Sequence, residues 1–159
     1  MRRLAATIVA LIIGGGAWAQ ESVLPTDQEI AILQACAVAA HREGRDLAFC
    51  RGILAGPCLN SRGGIDSGVM DRAICLQYEE FGWKWLLMKA VSHYADAMEG
   101  REGFSREEFL GVVEANSAAL RDQCFRFPKG QELRVLNCMT DGEMFQLGAL
   151  LRQIDALAE

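Results

Sequence analysis

The sequence predicts an all-α fold: a small, disulfide-braced helical bundle of four to six helices, including one long central helix. Three observations carry this. Apolar residues recur at helical spacing, while no segment alternates convincingly with period two. Thr26, Ser105 and Thr140 each begin an S/T-x-x-E box, the pattern in which a hydroxyl and a glutamate satisfy the free amides of a helix start. Six cysteines stand in a chain of 159 residues, which points to covalent cross-links. This length supplies one hydrophobic core rather than two. With 51% apolar and 23% charged residues, the composition excludes intrinsic disorder and a multi-span membrane protein.

The first segment is an address. Arg2 and Arg3 precede an uncharged run from Leu4 to Ala17, and Ala17-Trp18-Ala19 places small residues on both sides of one spacer. That is the pattern of a secretory signal peptide over residues 1–19. The run falls short of the ~20 residues that a membrane-crossing helix requires, and Gly14, Gly15 and Gly16 interrupt it. The expected product is periplasmic or secreted after cleavage near Ala19, with one domain over residues 20–159 and no stable membrane span. Losing Arg2 and Arg3 leaves 14 basic and 21 acidic groups, a balance of −7. An acidic chain lacks the basic surface that neutralises phosphates, so nucleic acid is excluded as a partner.

Thr26 to Glu29 opens the first helix, with Ile30, Leu33, Ala37 and Val38 at helical spacing to about Arg42. Asp46 caps a short second helix through Ile53, ended by Gly56-Pro57. Leu59 to Ile65 is a loop by composition. Asp66 or Ser67 then caps the long helix toward Glu99, with Val69, Ala73, Leu76, Trp83, Leu87 and Val91 on its inner stripe. Gly82 lies within that stripe and costs about 1 kcal/mol relative to alanine, so another helix is expected to approach closely there. Ser105 opens a fourth helix that ends before Pro128. A last helical region starts at Gln131, and the box from Thr140 to Glu143 predicts an interruption at Asp141-Gly142.

The cysteines are Cys36, Cys50, Cys58, Cys75, Cys124 and Cys138. None forms a C-x-x-C, so thiol redox chemistry lacks its signature. Hairpin geometry favours Cys36 with Cys50 about Gly44, and Cys124 with Cys138 about the Pro128-Lys129-Gly130 turn. Cys58 and Cys75 remain as the third pair; nested alternatives such as Cys50 with Cys75 stay open. His41 and His93 stand apart from each other and from any cysteine pair at ligand spacing, which gives no metal site. No cofactor motif and no catalytic constellation is present. Glu79, Glu80, His93 and Asp96 are read as a solvated charged face, because Glu79 and His93 lie about 21 Å apart along a helix.

The order Cys58, Gly63-Gly64, Met70, Cys75, Glu79-Glu80, Trp83, Leu87 resembles the lysozyme inhibitor LprI family of small exported helical domains. Arg121-Asp122-Gln123-Cys124, followed by Cys138 and Thr140, is similar to that family's arginine-aspartate-x-x-cysteine and its last cysteine. The resemblance covers about residues 50 to 150. This chain has Lys84, Met88, Val91 and Glu143 where the family carries aspartate, asparagine, tyrosine and arginine, which makes it a divergent member. The resemblance implies a non-enzymatic, protein-binding domain with lysozyme as its partner; the alternative is a structural or accessory cell-envelope protein without inhibitory activity.

The polar, glycine-rich loop from Asn60 to Asp66 supplies the binding candidates Ser61, Arg62 and Asp66, because tethering at Cys58 lowers the ordering cost of binding. Trp83, Arg121 and Asp122 are structural candidates, the last two as a salt bridge or contact at a helix end. Trp83 and Trp85 are about 200° apart around a helix, so one is core and the other exposed beside Lys84 and Lys89.

Overall fold

The structure is a computed structural model, and it describes residues 24–157; the signal sequence read over residues 1–19 lies outside the described residues. Five α-helices carry the architecture, with no strand among the described residues: α1 (Asp27–Arg42), α2 (Ala55–Ser61), α3 (Val69–Met98), α4 (Arg106–Cys124) and α5 (Glu132–Asp155). Short 3-10 turns occupy Leu47–Cys50 and Gly64–Asp66. None of these helices is long and apolar enough to cross a membrane.

Cross-helix contacts fix the topology. Tyr78 bonds to Glu29, and Lys89 to Gln34, so α1 and α3 run in the same direction. Glu80 and Glu143 interact, and Leu86 and Ala90 share a groove with Leu147 and Leu151, which makes α5 parallel to α3 as well. Helix α4 runs the other way, with Tyr94 packed on Phe109 near its start and Cys124 bonded to Cys138 at its end, and so does the short α2, whose Ala55 meets Glu79 and whose Cys58 meets Cys75. Residues 43–68 return the chain between α1 and α3.

Trp83 is fully buried at the centre of the core, in a cluster that includes Leu33, Leu54, Leu87 and Met144. The capping box at Thr26 forms as its spacing predicts, with Thr26 Oγ1 accepting from Glu29 N and the Glu29 carboxylate accepting from Thr26 N. At Ser105 the hydroxyl accepts from Glu108 N. All three favoured disulfides are present, Cys36–Cys50, Cys58–Cys75 and Cys124–Cys138, with Cα separations of 5.9, 5.5 and 5.6 Å. Gly44 and Gly130 turn the two hairpins at φ values of 67° and 86°, a region that L side chains rarely adopt.

Six local expectations are corrected, two of them being that Leu59, Asn60 and Ser61, read as loop, are the last turn of α2, and that the N-cap of α3 is Gly68 rather than Asp66 or Ser67. Asp46 caps a 3-10 turn that stops at Cys50 rather than a helix to Ile53. Gly56-Pro57 opens α2 instead of ending a helix, because a proline in the first turn lacks only an amide that has no intrahelical partner anyway. Val69 is 65% exposed although the stripe placed it inward. The break at Asp141-Gly142 does not occur; α5 is continuous, and Thr140 is buried within it. Gly142 is a site of close packing, since a Cβ there would come within 2.2 Å of Leu120 Cδ1 from α4.

Gly82 shows the expected close approach: a Cβ would lie 2.5 Å from Leu54 Cδ1 and 3.0 Å from Leu33 Cδ2. Gly111 in α4 has nothing within 4 Å. The two glycines therefore predict opposite signs. Gly111→Ala should raise the urea midpoint through a helix-propensity gain of up to about 1 kcal/mol. Gly82→Ala should lower it, because overpacking costs about 1–3 kcal/mol and exceeds that gain.

Candidate functional site

One end of the molecule gathers features that suit contact with another protein. Cys58 in α2 is tied to Cys75 in α3, and the chain between them turns through Gly63 and Gly64 at φ values of 103° and 64°. Side chains fix this loop further. Ser61 Oγ donates to Cys58 O at 2.7 Å, Arg72 donates to Ile65 O at 2.7 Å, and Arg62 pairs with Asp71 at 3.5 Å. On this scaffold Ile65 is 89% exposed, beside Val69 and Met70 at the start of α3, which are 65% and 74% exposed.

Met70 also lines a groove of about 470 Å³ with Ile74, Phe125, Phe127, Val135 and Leu136. Phe125 is itself exposed, and the Arg134 guanidinium lies 4.7 Å from the Phe127 ring centroid. Ile65, Val69, Met70 and Phe125 are thus apolar side chains left exposed on a charged surface.

The loop candidates thus divide. Ser61 and Arg62 are engaged in holding the loop, while Asp66 is exposed and its backbone amide donates to Gly63 O. The apolar residues Ile65, Met70 and Phe125 were missed in the sequence reading. Ile65 had a readable signal, an isoleucine inside a glycine-rich polar stretch; Phe125 had none, because its exposure follows from how α4 ends.

Buried acids position this end, and they correct the reading of Glu79 and Glu80 as a solvated face. Both are buried, at 2% and 8% exposure, whereas His93 and Asp96 are exposed. The Glu79 carboxylate accepts from Gly52 N at 2.5 Å and from Ala55 N at 2.8 Å, and Trp83 Nε1 donates to it at 3.4 Å. Those amides are the free donors at the entry to α2, so an acid on α3 does what the α2 N-cap, Leu54, lacks the chemistry to do. The orientation of α2, and with it the loop, depends on this carboxylate.

Glu80 and Glu143 meet between α3 and α5. Burial, reinforced by the charge of Glu80, pushes the Glu143 carboxyl up to about 9, and burial raises Glu80 as well despite Lys84 nearby. The pair accordingly keeps a proton between its two carboxyls at pH 7. A shared proton allows two acids to pack in a helix interface where two charges would repel. Their burial inside the bundle keeps them from acting on a substrate at the surface.

Trp83 is the core tryptophan, and Trp85 is 45% exposed with Lys89 Nζ 4.9 Å from its ring centroid. Arg121 and Asp122 do not form the expected helix-end salt bridge; both are exposed in the last turn of α4, and Cys124 alone of that turn is buried. Arg121 instead places positive charge at the negative end of the α4 dipole. Among the described residues no cluster of histidine, cysteine, aspartate and glutamate is arranged to hold a metal.

Fold and surface together define a class: a disulfide-braced helical domain that presents a rigid, partly apolar end. Comparison with protein-family models, curated proteins and solved structures finds no match to the chain.

Two predictions follow the buried acids. A carboxyl whose folded value is raised above the ordinary 4.5 contributes stability that is complete below that value and is lost as pH climbs toward about 9. The melting temperature should therefore fall between pH 5 and pH 8.5, and Glu143→Gln should flatten that slope and raise stability at pH 8.5. Glu79→Ala should cost about 2–4 kcal/mol by stranding buried amides and should speed proteolytic cleavage between residues 52 and 66. Thermal melts and timed digests read both effects.

Proposed function

We propose that this chain is an exported, non-enzymatic protein-binding domain whose docking face is the braced end around Ile65. The observation that carries the reading is an isoleucine at 89% exposure on a loop held by a disulfide and three side-chain contacts. A pre-ordered loop loses little conformational freedom on binding, so the apolar contact of Ile65 and Met70 is available as net affinity. The three disulfides support export, because they form and persist in oxidising compartments.

Lysozyme is the specific partner implied by the resemblance to the lysozyme inhibitor LprI family, and inhibition of that enzyme is the activity proposed. Such an inhibitor occludes a cleft lined by carboxylates in a typically basic enzyme. The acidic body of this protein steers the encounter by long-range attraction. At the contact Ile65 provides the apolar knob, on a loop that Arg62 and Arg72 hold in place.

Mature protein mixed with chicken-type lysozyme should slow the lysis of bacterial cell walls. Ile65→Asp and Met70→Asp should weaken that inhibition by about tenfold or more, the scale of a lost interface anchor, with the helical circular dichroism intact. Asp66→Lys should alter it in the same assay. Unchanged lysis at large molar excess would reject lysozyme and favour an accessory cell-envelope role.

A further inference from the structure

A second concavity lies at the other end of the bundle, between the three parallel helices α1, α3 and α5. Its volume is about 250 Å³. Val38, Leu86, Leu151 and Ile154 form apolar walls, and Ala37 and Ala90 leave space that a larger side chain would fill. Polar side chains reach it only from Gln34, Lys89 and His93. Met70, on the docking face, is 19 residues from Lys89 along α3, or about 28 Å, so the two surfaces are separate.

Lys89 gives the hollow its chemistry. Its ammonium donates to Gln34 Oε1 at 3.0 Å and lies over the Trp85 ring, both neutral partners. No carboxylate among the described residues pairs with it; Asp155, next to Ile154, is taken by His41 at 2.7 Å. His93 stands one turn further along α3, exposed at the same rim. In a chain with an excess of acids, a cation held beside an apolar hollow without an acidic neighbour is a ready counter-charge for an anion.

We propose that this groove binds a medium-chain amphiphilic carboxylate, with the hydrocarbon chain between α1, α3 and α5 and the carboxylate on Lys89. Charge and shape both select this class. A water-sized group occupies about 30 Å³, so the hollow takes roughly eight chain atoms, less than a drug-sized ligand fills. An uncharged chain forgoes the charge-assisted bond to Lys89, and a cationic head group meets repulsion. The inference is independent of the lysozyme reading, since it uses none of the residues of the docking face.

The test is calorimetric titration of the mature, disulfide-intact protein with sodium octanoate, octan-1-ol and octyltrimethylammonium. Octanoate should bind with a Kd below about 1 mM, octanol at least about fivefold more weakly, and the ammonium ion not measurably. Lys89→Gln should weaken octanoate to the level of octanol and leave octanol unchanged. Ala90→Leu should remove binding of both while the far-ultraviolet circular dichroism is retained. Absence of octanoate binding, equal binding of octanoate and the ammonium ion, or octanoate affinity unmoved by Lys89→Gln would each overturn the proposal.

Discussion

Two of the three disulfides join a helix that buries little of itself to one that buries much. Only Ala55 of α2 is buried, and only Cys124 of α4. α3 and α5, by contrast, supply half of the buried apolar core, from Trp83, Leu87 and Val91 on one side to Met144, Leu147 and Leu150 on the other. Short or weakly amphipathic helices are marginal by themselves in water. Covalent ties to α3 and α5 restrict the unfolded chain, and a closed loop of about 15 residues contributes roughly 3 kcal/mol on that account. The segments that give the molecule its accessible ends are thereby kept in place without large apolar faces of their own.

Polar groups complete the arrangement in the interior. Glu79 reaches from α3 to the amides of Gly52 and Ala55, so the bond network runs from the core tryptophan through one carboxylate to the entry of α2. Cys58, four residues into α2, is then tied back to the same helix. Two attachments at different heights on α3 fix the direction of α2 as well as its position. The Glu80 and Glu143 pair serves the neighbouring interface differently, by sharing a proton rather than by binding backbone.

Local chemistry was readable in the sequence and distant pairing was not. The Thr26 box placed the start of α1 and apolar spacing its end at Arg42, and equal cysteine spacings about Gly44 and Gly130 identified two hairpins. Gly82 announced a close approach, although not that Leu54 and Leu33 make it. Glu79 and Glu80 looked like surface residues because their partners lie 24 to 63 positions away, at Ala55 and Glu143. Asp141-Gly142 looked like a break because the side chain that fills the space over Gly142 comes from another helix, at Leu120. At the candidate site the loop was legible from Gly63-Gly64 and Ile65 stood out within it, whereas Phe125 joins the groove beside Met70 only through the packing of α4 on α3 and α5.

The cross-links follow one another along the chain: 36 with 50, 58 with 75, 124 with 138. No closed ring encloses or overlaps another. A polypeptide that emerges N-terminus first and meets an oxidant therefore acquires its native bonds simply by joining each new thiol to the one before it. Maturation of this protein has no inherent need for an isomerase, and the cell that makes it is spared the shuffling that interleaved bonds demand.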